Sequence, residues 1–178
     1  MVYFYTIYAT NKNNIVKYTI FIALSGFFLF VDLLTKFIAQ ATLEGKKPLV
    51  LIDGVLELLF IRNEGAAWGM FSGAGIIFSI IAIAAMIIMI YVLVRMPATK
   101  HYGMLLATII CLFTGALGNL IDRLWLSYVR DFIYFYGIDF PVFNVADIFV
   151  TVGAVLLIIS LIFVYKEKDY AFLKIKKR

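Results

Sequence analysis

Four long apolar stretches constrain the fold more than any other feature of this sequence. They lie at about residues 17–39, 74–94, 103–121 and 148–165. A helix needs about 20 largely apolar residues to cross the hydrocarbon core of a bilayer. The sequence therefore predicts an all-α membrane protein with four transmembrane helices, organised as a single integral membrane domain.

The composition supports this class and excludes others. Hydrophobic residues make up 64% of the chain and charged residues 15%, against about 45–50% and about 25% in soluble domains. Too much apolar surface would stay exposed in a soluble or disordered chain, and a single cysteine cannot staple a disulfide scaffold.

The basic residues predict the orientation of the four spans. Ten Lys and Arg lie in the N-terminal arm, the loop between spans two and three, and the tail 166–178, whereas five lie in the loops 40–73 and 122–147. Because Lys and Arg accumulate in cytoplasmic loops, both termini are expected in the cytoplasm. The basic tail is expected to face membrane lipids, and the net charge of +5 is not interpreted as nucleic-acid binding.

A short segment imitates a signal-peptide cleavage site. Ala39-Gln40-Ala41 follows a basic arm and an apolar run, as small residues do in secretory signals. Asp32 and Lys36 interrupt the interval before it, so we expect the first span to be retained.

The residues of common metal and nucleophile sites are scarce. The only histidine, His101, falls in a predicted cytoplasmic loop, and the only cysteine, Cys111, falls inside the third span. We therefore expect no metal site, no cofactor and no His-dependent nucleophile.

Carboxylates remain, and most of them lie on the predicted outer side. Eight acidic residues fall in the two outer loops or at their edges: Glu44, Asp53, Glu57, Glu64, Asp122, Asp131, Asp139 and Asp147. Any chemistry is therefore expected to face outward.

Two charged residues lie inside the first span. Asp32 and Lys36 are four residues apart on one helical face, so they can form an ion pair, or Lys36 can extend to the headgroups. The pair is compatible with a structural role, with support of a site, or with an ion pathway.

Polar residues also cluster at the end of the third span. Asn119, Asp122 and Arg123 share a helical face after two glycines of the kind that pack membrane helices. Asp122 is compatible with a local ion pair to Arg123.

Asp131 and Asp147 lie in one 26-residue segment that two spans hold at its ends. Taken singly, Asp131 has Arg130 beside it, and Asn144 with Asp147 is typical of a helix cap, which is the favoured interpretation of those two residues. Taken together, two close carboxylates share a proton and can hydrolyse an amide without a metal.

An outer hairpin is predicted before Asn63. The stretch from Leu49 to Ile61 is interrupted by Asp53-Gly54, a dipeptide that favours tight turns. Asn63 is a candidate donor to a substrate backbone, which the small residues from Gly65 onward would allow to approach. A turn with Trp68 as an interfacial anchor is the alternative.

Five motifs in order resemble the lipoprotein signal peptidase family, the type II signal peptidases of bacteria. They are Asp32-Leu33-Leu34-Thr35-Lys36, Asn63 to Gly69, Gly118 to Arg123, Val129-Arg130-Asp131-Phe132 and Phe143 to Asp147. By that resemblance Asp131 and Asp147 match a catalytic aspartate dyad. Positions that surround or support it are matched by Asp32, Lys36, Asn63, Gly65, Asn119, Asp122, Arg123 and Asn144.

The resemblance implies a multi-pass enzyme of the bacterial cytoplasmic membrane with its site on the extracytoplasmic face. Such an enzyme removes the signal peptide of diacylglyceryl-modified prolipoproteins on the N-terminal side of the lipidated cysteine. One aspartate would activate water and the other would protonate the departing amine. We expect a monomer.

Three other classes of membrane protein are alternatives. A small transporter or proton-conducting protein would use Asp32 and Lys36, but acids spread through the membrane depth are expected there. A structural membrane protein needs no dyad. A Ser-Lys protease would pair Lys36 with Ser72 or Ser127, the only serines near the outer face.

Overall fold

The computed structural model describes residues 2–65 and 75–174, with side chains from residue 12 onward in these ranges. In them the main helices are α1 (Val2–Leu43), α2 (Gly75–Arg95), α3 (Gly103–Leu126) and α4 (Val145–Ile159), the last continued by a π-helical turn at Ser160–Val164. Each of the four is long and apolar enough to cross a membrane. The predicted four-helix membrane fold is thus confirmed.

The helices extend beyond the predicted spans at several ends. Helix α3 continues to Leu126, so Asp122 and Arg123 belong to its last turns, and α4 already begins at Val145, which places Asp147 in its first turn. The predicted spans stopped where polar residues begin, but these polar side chains find partners within the protein. Ala39-Gln40-Ala41 lies inside the continuous helix α1.

The predicted hairpin is present. Strands β1 (Leu49–Ile52) and β2 (Leu56–Asn63) pair antiparallel. Gly54 in the connecting turn has a φ of 68°, a left-handed conformation that glycine adopts without steric cost.

A third strand was not predicted. Strand β3 (Val129–Tyr134) lies in the segment that was expected to be a loop, and it pairs antiparallel with β2. The pairing places Asp131 opposite Ile61 and Val129 opposite Asn63. Contacts between segments so far apart in sequence leave no local pattern, which is why the strand was missed.

Glycines bring α3 and α4 close together. A Cβ atom added to Gly115 would lie 2.5 Å from the carbonyl oxygen of Ala146, and one added to Gly153 would lie 2.7 Å from the Leu112 side chain. The glycines thus serve the helix packing that small residues typically provide in membranes.

The sheet lies at one end of the helices, which we call the sheet end. At the opposite end, the tail end, an apolar cluster is formed by Phe21, Leu93, Met96, Leu105, Ile109, Ile110 and Tyr165. Helix α1 and the end of α2 meet there, since Lys17 Nζ donates to the carbonyls of Leu93 and Met96 at 2.9 and 2.7 Å.

The C-terminal tail packs on the same end. Its 3-10 helix (Glu167–Leu173) is held by the Tyr102 hydroxyl, which donates to the Asp169 carbonyl at 2.7 Å, and by Arg95, which donates to the Phe172 carbonyl at 3.0 Å. The described part of the basic tail therefore contacts the protein, whereas residues 175–178 lie outside the described ranges.

Candidate active site

Strand β3 carries a buried carboxylate into the middle of a polar cluster. Only 2% of Asp131 is exposed. Its Oδ1 accepts a hydrogen bond from Asn144 Nδ2 at 2.6 Å, and its Oδ2 accepts one from Asn63 Nδ2 at 2.7 Å. Two amide donors thus hold both carboxyl oxygens in place.

The β2–β3 register explains the contact with Asn63. Asn63 pairs with Val129, so Asp131 is its diagonal neighbour on the same face of the sheet. The Asn63 side-chain oxygen accepts the Gly65 N–H at 3.0 Å, which turns the amide nitrogen toward Asp131. Asn63, a candidate donor to substrate, thus donates to the carboxylate; Trp68 lies outside the described residues.

The second carboxylate lies in the first turn of α4. Asp147 Oδ2 accepts the Asn144 N–H at 3.0 Å, while the Asn144 side-chain oxygen accepts the Asp147 N–H at 3.1 Å. This reciprocal capping box confirms the predicted helix cap. Asp147 Oδ1 in addition accepts from Asn119 Nδ2 at 2.8 Å, so the cap also belongs to the cluster.

Two asparagines link the two carboxylates. Asn144 Nδ2 donates to Asp131 and also to Asn119 Oδ1, at 3.1 Å, and Asn119 in turn donates to Asp147. A continuous path of hydrogen bonds therefore joins the Asp131 and Asp147 side chains.

The two carboxylates differ in environment. Burial and the nearby negative charge of Asp147 raise the pKa of Asp131 to about 7, although the hydrogen bonds from Asn63 and Asn144 act in the opposite direction. Asp147 is partly exposed. A buried acid that keeps its proton to neutral pH therefore lies beside a carboxylate that water can reach.

A buried lysine supports the cluster from α1. Lys36 Nζ lies 2.9 Å from Asp32 Oδ2 and 3.6 Å from Asp122 Oδ2, and it donates to Asn119 Oδ1 at 2.9 Å. None of its side chain is exposed. The ion pair with Asp32 has formed and Lys36 does not extend to the headgroups. The bond to Asn119 fixes which end of that amide faces Asp147.

Asp32 joins three helices at this point. Its Oδ1 accepts the Ala146 N–H of α4 at 2.8 Å. A Cβ atom added to Gly118 of α3 would collide with its Oδ2. The close approach of these groups explains why a glycine stands immediately before Asn119.

The partners of the arginines differ from the simplest sequence interpretation. Asp122 pairs with Arg130, whose Nη2 lies 2.6 Å from Asp122 Oδ1 and whose backbone N–H donates to Oδ2 at 3.0 Å. Asp122 thus does not serve as the ion-pair partner of Arg123, and Arg130 does not screen Asp131. Arg123 is half-buried with its guanidinium 5.5 Å from the Phe78 ring centre.

A second pairing of an arginine with a distant acidic residue was not predicted from the sequence. Arg62 lies directly opposite Arg130 in the sheet, an arrangement that repels unless each charge is balanced. Arg62 Nε donates to Glu44 Oε1 at 2.9 Å, which lowers the pKa of Glu44. In the sequence Glu44 is one of the outer acids, and nothing within a few residues of it indicates the contact with Arg62.

Other candidate groups lie apart from the cluster. His101 is at the tail end, 3.2 Å from Asp169, and Cys111 is half-buried within α3. Ser127 is exposed after the end of α3, and Ser72 lies outside the described residues. Within 2–65 and 75–174, no group of three or more His, Cys, Asp and Glu is arranged to hold a metal ion.

A family model matches most of the chain. Residues 3–163 match the model described as signal peptidase (SPase) II. The matched residues include every member of the polar cluster.

Relatives of known name are similar over much of their length. A lipoprotein signal peptidase of Fusobacterium nucleatum is 37% identical over 84% of this chain and 90% of its own. One from Staphylococcus aureus is 38% identical over 79% and 86%, and one from Lactobacillus johnsonii is 44% identical over 67% and 75%.

The fold also has solved counterparts. A bacterial membrane enzyme determined by the in meso method at 2.3 Å resolution superposes with a TM-score of 0.71, at 37% identity, over 90% of this chain and 94% of that one. A second such structure, at 1.9 Å, gives the same TM-score at 36% identity over 82% and 94%.

Proposed function

Because this chain belongs to the signal peptidase II family, we propose that it cleaves prolipoprotein signal peptides as an aspartic endopeptidase. Peptidase activity follows from the family. The aspartic type is our proposal, and one observation carries it: Asp131 and Asp147 are joined through Asn119 and Asn144 but differ in exposure.

We assign the two carboxylates opposite roles. Asp147 is the partly exposed group and lies in the first turn of α4, where negative charge is stabilised. Its oxygens accept from the Asn144 N–H and from Asn119 Nδ2. It acts as the general base toward water. Asp131 has a pKa raised to about 7 and supplies the proton.

The reaction then needs no covalent enzyme intermediate. Asp147 removes a proton from water as the oxygen attacks the carbonyl carbon that precedes the lipidated cysteine. The C–N bond breaks as Asp131 protonates the departing cysteine amine. The proton that Asp147 took from water then passes to Asp131, which restores the starting state of both groups.

The location of the cluster suits a lipid-modified substrate. The sheet end carries the dyad, and the basic residues concentrate toward the tail end. The positive-inside rule then places both termini in the cytoplasm and the dyad at the extracytoplasmic face of a bacterial cytoplasmic membrane. A diacylglyceryl-cysteine held in that leaflet would present its peptide bond at the same level.

Arg123 is the proposed contact to the substrate backbone. It lines a cavity of about 440 Å³ together with Glu64, Ser79 and Ser127. The negative charges of Asp147 and Asp131 act on its guanidinium. Its guanidinium has several donors for peptide carbonyls. Gly65 follows Glu64 and is buried, and we propose that its lack of a side chain lets a peptide backbone approach. We propose that one copy of the chain contains the complete site.

The proposal is tested by removing each carboxylate charge at constant size. Asp131→Asn and Asp147→Asn should each reduce cleavage of a diacylglyceryl-modified prolipoprotein by at least about 10²-fold, because proton transfer contributes about 10²–10⁴-fold. The readout is the initial rate of cleavage by purified enzyme in vesicles.

Asp139→Asn is the matched control. Asp139 lies in the same segment but is exposed and accepts a hydrogen bond from the Tyr134 hydroxyl. This variant should cleave at close to the wild-type rate. A folded Asp131→Asn or Asp147→Asn protein that also does so would overturn the assignment.

A further inference from the structure

A second concave surface lies between α1 and the hairpin. This hairpin groove has a volume of about 590 Å³ and an almost wholly apolar lining. Ile38 and Ala39 form its α1 wall, Leu49 and Leu58 form its hairpin wall, and Phe132 lies at its base.

The groove is separate from the active site. Phe132 follows Asp131 on β3, and successive side chains of a strand point to opposite faces of the sheet. Asp131 faces the side chains of Asn63 and Asn144. Phe132 and the groove therefore lie on the opposite face of the sheet. A ligand in the groove would contact the back of the strand that carries the proposed acid.

The surroundings of the groove are suited to lipid. All four residues of β1 are exposed, and Leu49 and Ile52 are 52% and 55% accessible. Large apolar side chains exposed on both faces of an edge strand indicate contact with an apolar phase. In a membrane protein, that phase is the bilayer.

The mouth of the groove is positively charged. Lys46 and Lys47 line it and are exposed. Glu44, the acidic residue closest to them in sequence, is paired with Arg62. Neither lysine has a salt-bridge partner in the described part of the chain.

We propose that the hairpin groove binds one anionic phospholipid from the leaflet at the sheet end. An acyl chain lies along α1 toward Phe132, and the phosphate is held by Lys46 and Lys47. The two lysine ammonium groups would bind the phosphate, and the apolar groove would bind the acyl chain. The bound lipid is distinct from the substrate, because the groove opens behind the sheet.

The test uses full-length protein in nanodiscs of phosphatidylcholine. Trace phosphatidylglycerol or phosphatidylcholine with a photoreactive acyl chain is added, and the labelled peptides are mapped after irradiation. We expect the phosphatidylglycerol probe to label peptides that contain Ile38, Leu58 or Phe132 more strongly than the phosphatidylcholine probe does.

Removal of the lysines should abolish this preference. In the Lys46→Gln/Lys47→Gln variant, the ratio of phosphatidylglycerol labelling to phosphatidylcholine labelling should fall about fivefold for each lysine removed. Each lysine contributes on the order of 1 kcal/mol near anionic lipid. Lys166→Gln/Lys168→Gln removes the same charge at the tail end and should label the groove like the wild type. Thr42→Trp, which fills the groove, should reduce labelling by both probes.

Two results would overturn the proposal: equal groove labelling by the two probes, or preferential labelling that survives loss of both lysines. All readouts are binding measurements made without substrate. They therefore do not depend on the proposed aspartic mechanism.

Discussion

The two ends of the helix bundle each bury a lysine from α1, but they use it differently. At the tail end Lys17 donates to the carbonyls of Leu93 and Met96, which completes the C-terminus of α2. At the sheet end Lys36 contacts the side chains of Asp32 and Asn119. Lys17 thus donates to backbone carbonyls, whereas Lys36 belongs to a network of side chains.

The tail end is therefore expected to affect only the stability of the fold, whereas the sheet end is expected to affect both stability and cleavage. Contacts at the tail end finish helices, so their loss should weaken the fold and leave the activity of folded molecules unchanged. Contacts at the sheet end lead through Asn119 to Asp147. Their loss should change both properties, and the following substitutions test this contrast in order of decreasing effect.

The largest effect is expected from Lys36→Met. The substitution leaves Asp32 and Asp122 without their shared cation, and breaking a buried pair costs about 3–5 kcal/mol. Asn119 Oδ1 also loses one of its two donors and keeps only Asn144 Nδ2. We expect a lower temperature of unfolding in detergent and a large loss of cleavage per folded molecule.

Lys17→Met is the matched substitution at the tail end. It leaves two carbonyls without their donor, at a cost of about 1–3 kcal/mol. Cleavage per folded molecule should remain at the wild-type level. If both variants lose specific activity equally, the functional contrast between the two ends is wrong.

A smaller effect is expected where α3 meets α1. Gly118→Ala places a methyl group against the Asp32 carboxylate, whereas a Cβ at Gly26 has no atom within 4 Å. Overpacking costs about 1–3 kcal/mol. Gly118→Ala should therefore lower the unfolding temperature and the cleavage rate, and Gly26→Ala should lower neither.

The pH dependence sharpens the comparison within the dyad. With the pKa of Asp131 raised to about 7, kcat/KM should fall as pH rises above that value, because the acid loses its proton. The Asn63 hydrogen bond favours the ionised form, so Asn63→Ala should raise the pKa further and move the fall to higher pH. A shift to lower pH would contradict this role of Asn63.

The smallest effect is expected at the tail end. His101 Nε2 lies 3.2 Å from Asp169 Oδ1, and the His101 side chain is 50% exposed. Exposed pairs contribute little. His101→Gln should keep the cleavage rate within about twofold of wild type, and a larger loss would show that this end influences the reaction.

Much of the architecture could be predicted from local pattern. Apolar length predicted the four helices, Asp53-Gly54 predicted the hairpin turn, and the Asn144-Asp147 spacing predicted the cap of α4. Each of these signals lies within a few residues of the structure that it specifies.

The missed features all depend on contacts between distant segments. Strand β3 exists because it pairs with β2, and Asp122 selects Arg130 rather than its neighbour Arg123 because β3 returns to the end of α3. The burial of Lys17 requires α2 to end beside it. No local spacing encodes these choices.

The central claim is that Asp131 keeps a proton to near neutral pH beside an accessible carboxylate. Infrared titration of the protonated carboxyl band measures this directly. Wild-type protein and Asp139→Asn should lose one such band as pH rises through about 7, and Asp131→Asn should lack that transition. A transition near pH 7 that persists in Asp131→Asn, or its absence from the wild type, would contradict the account.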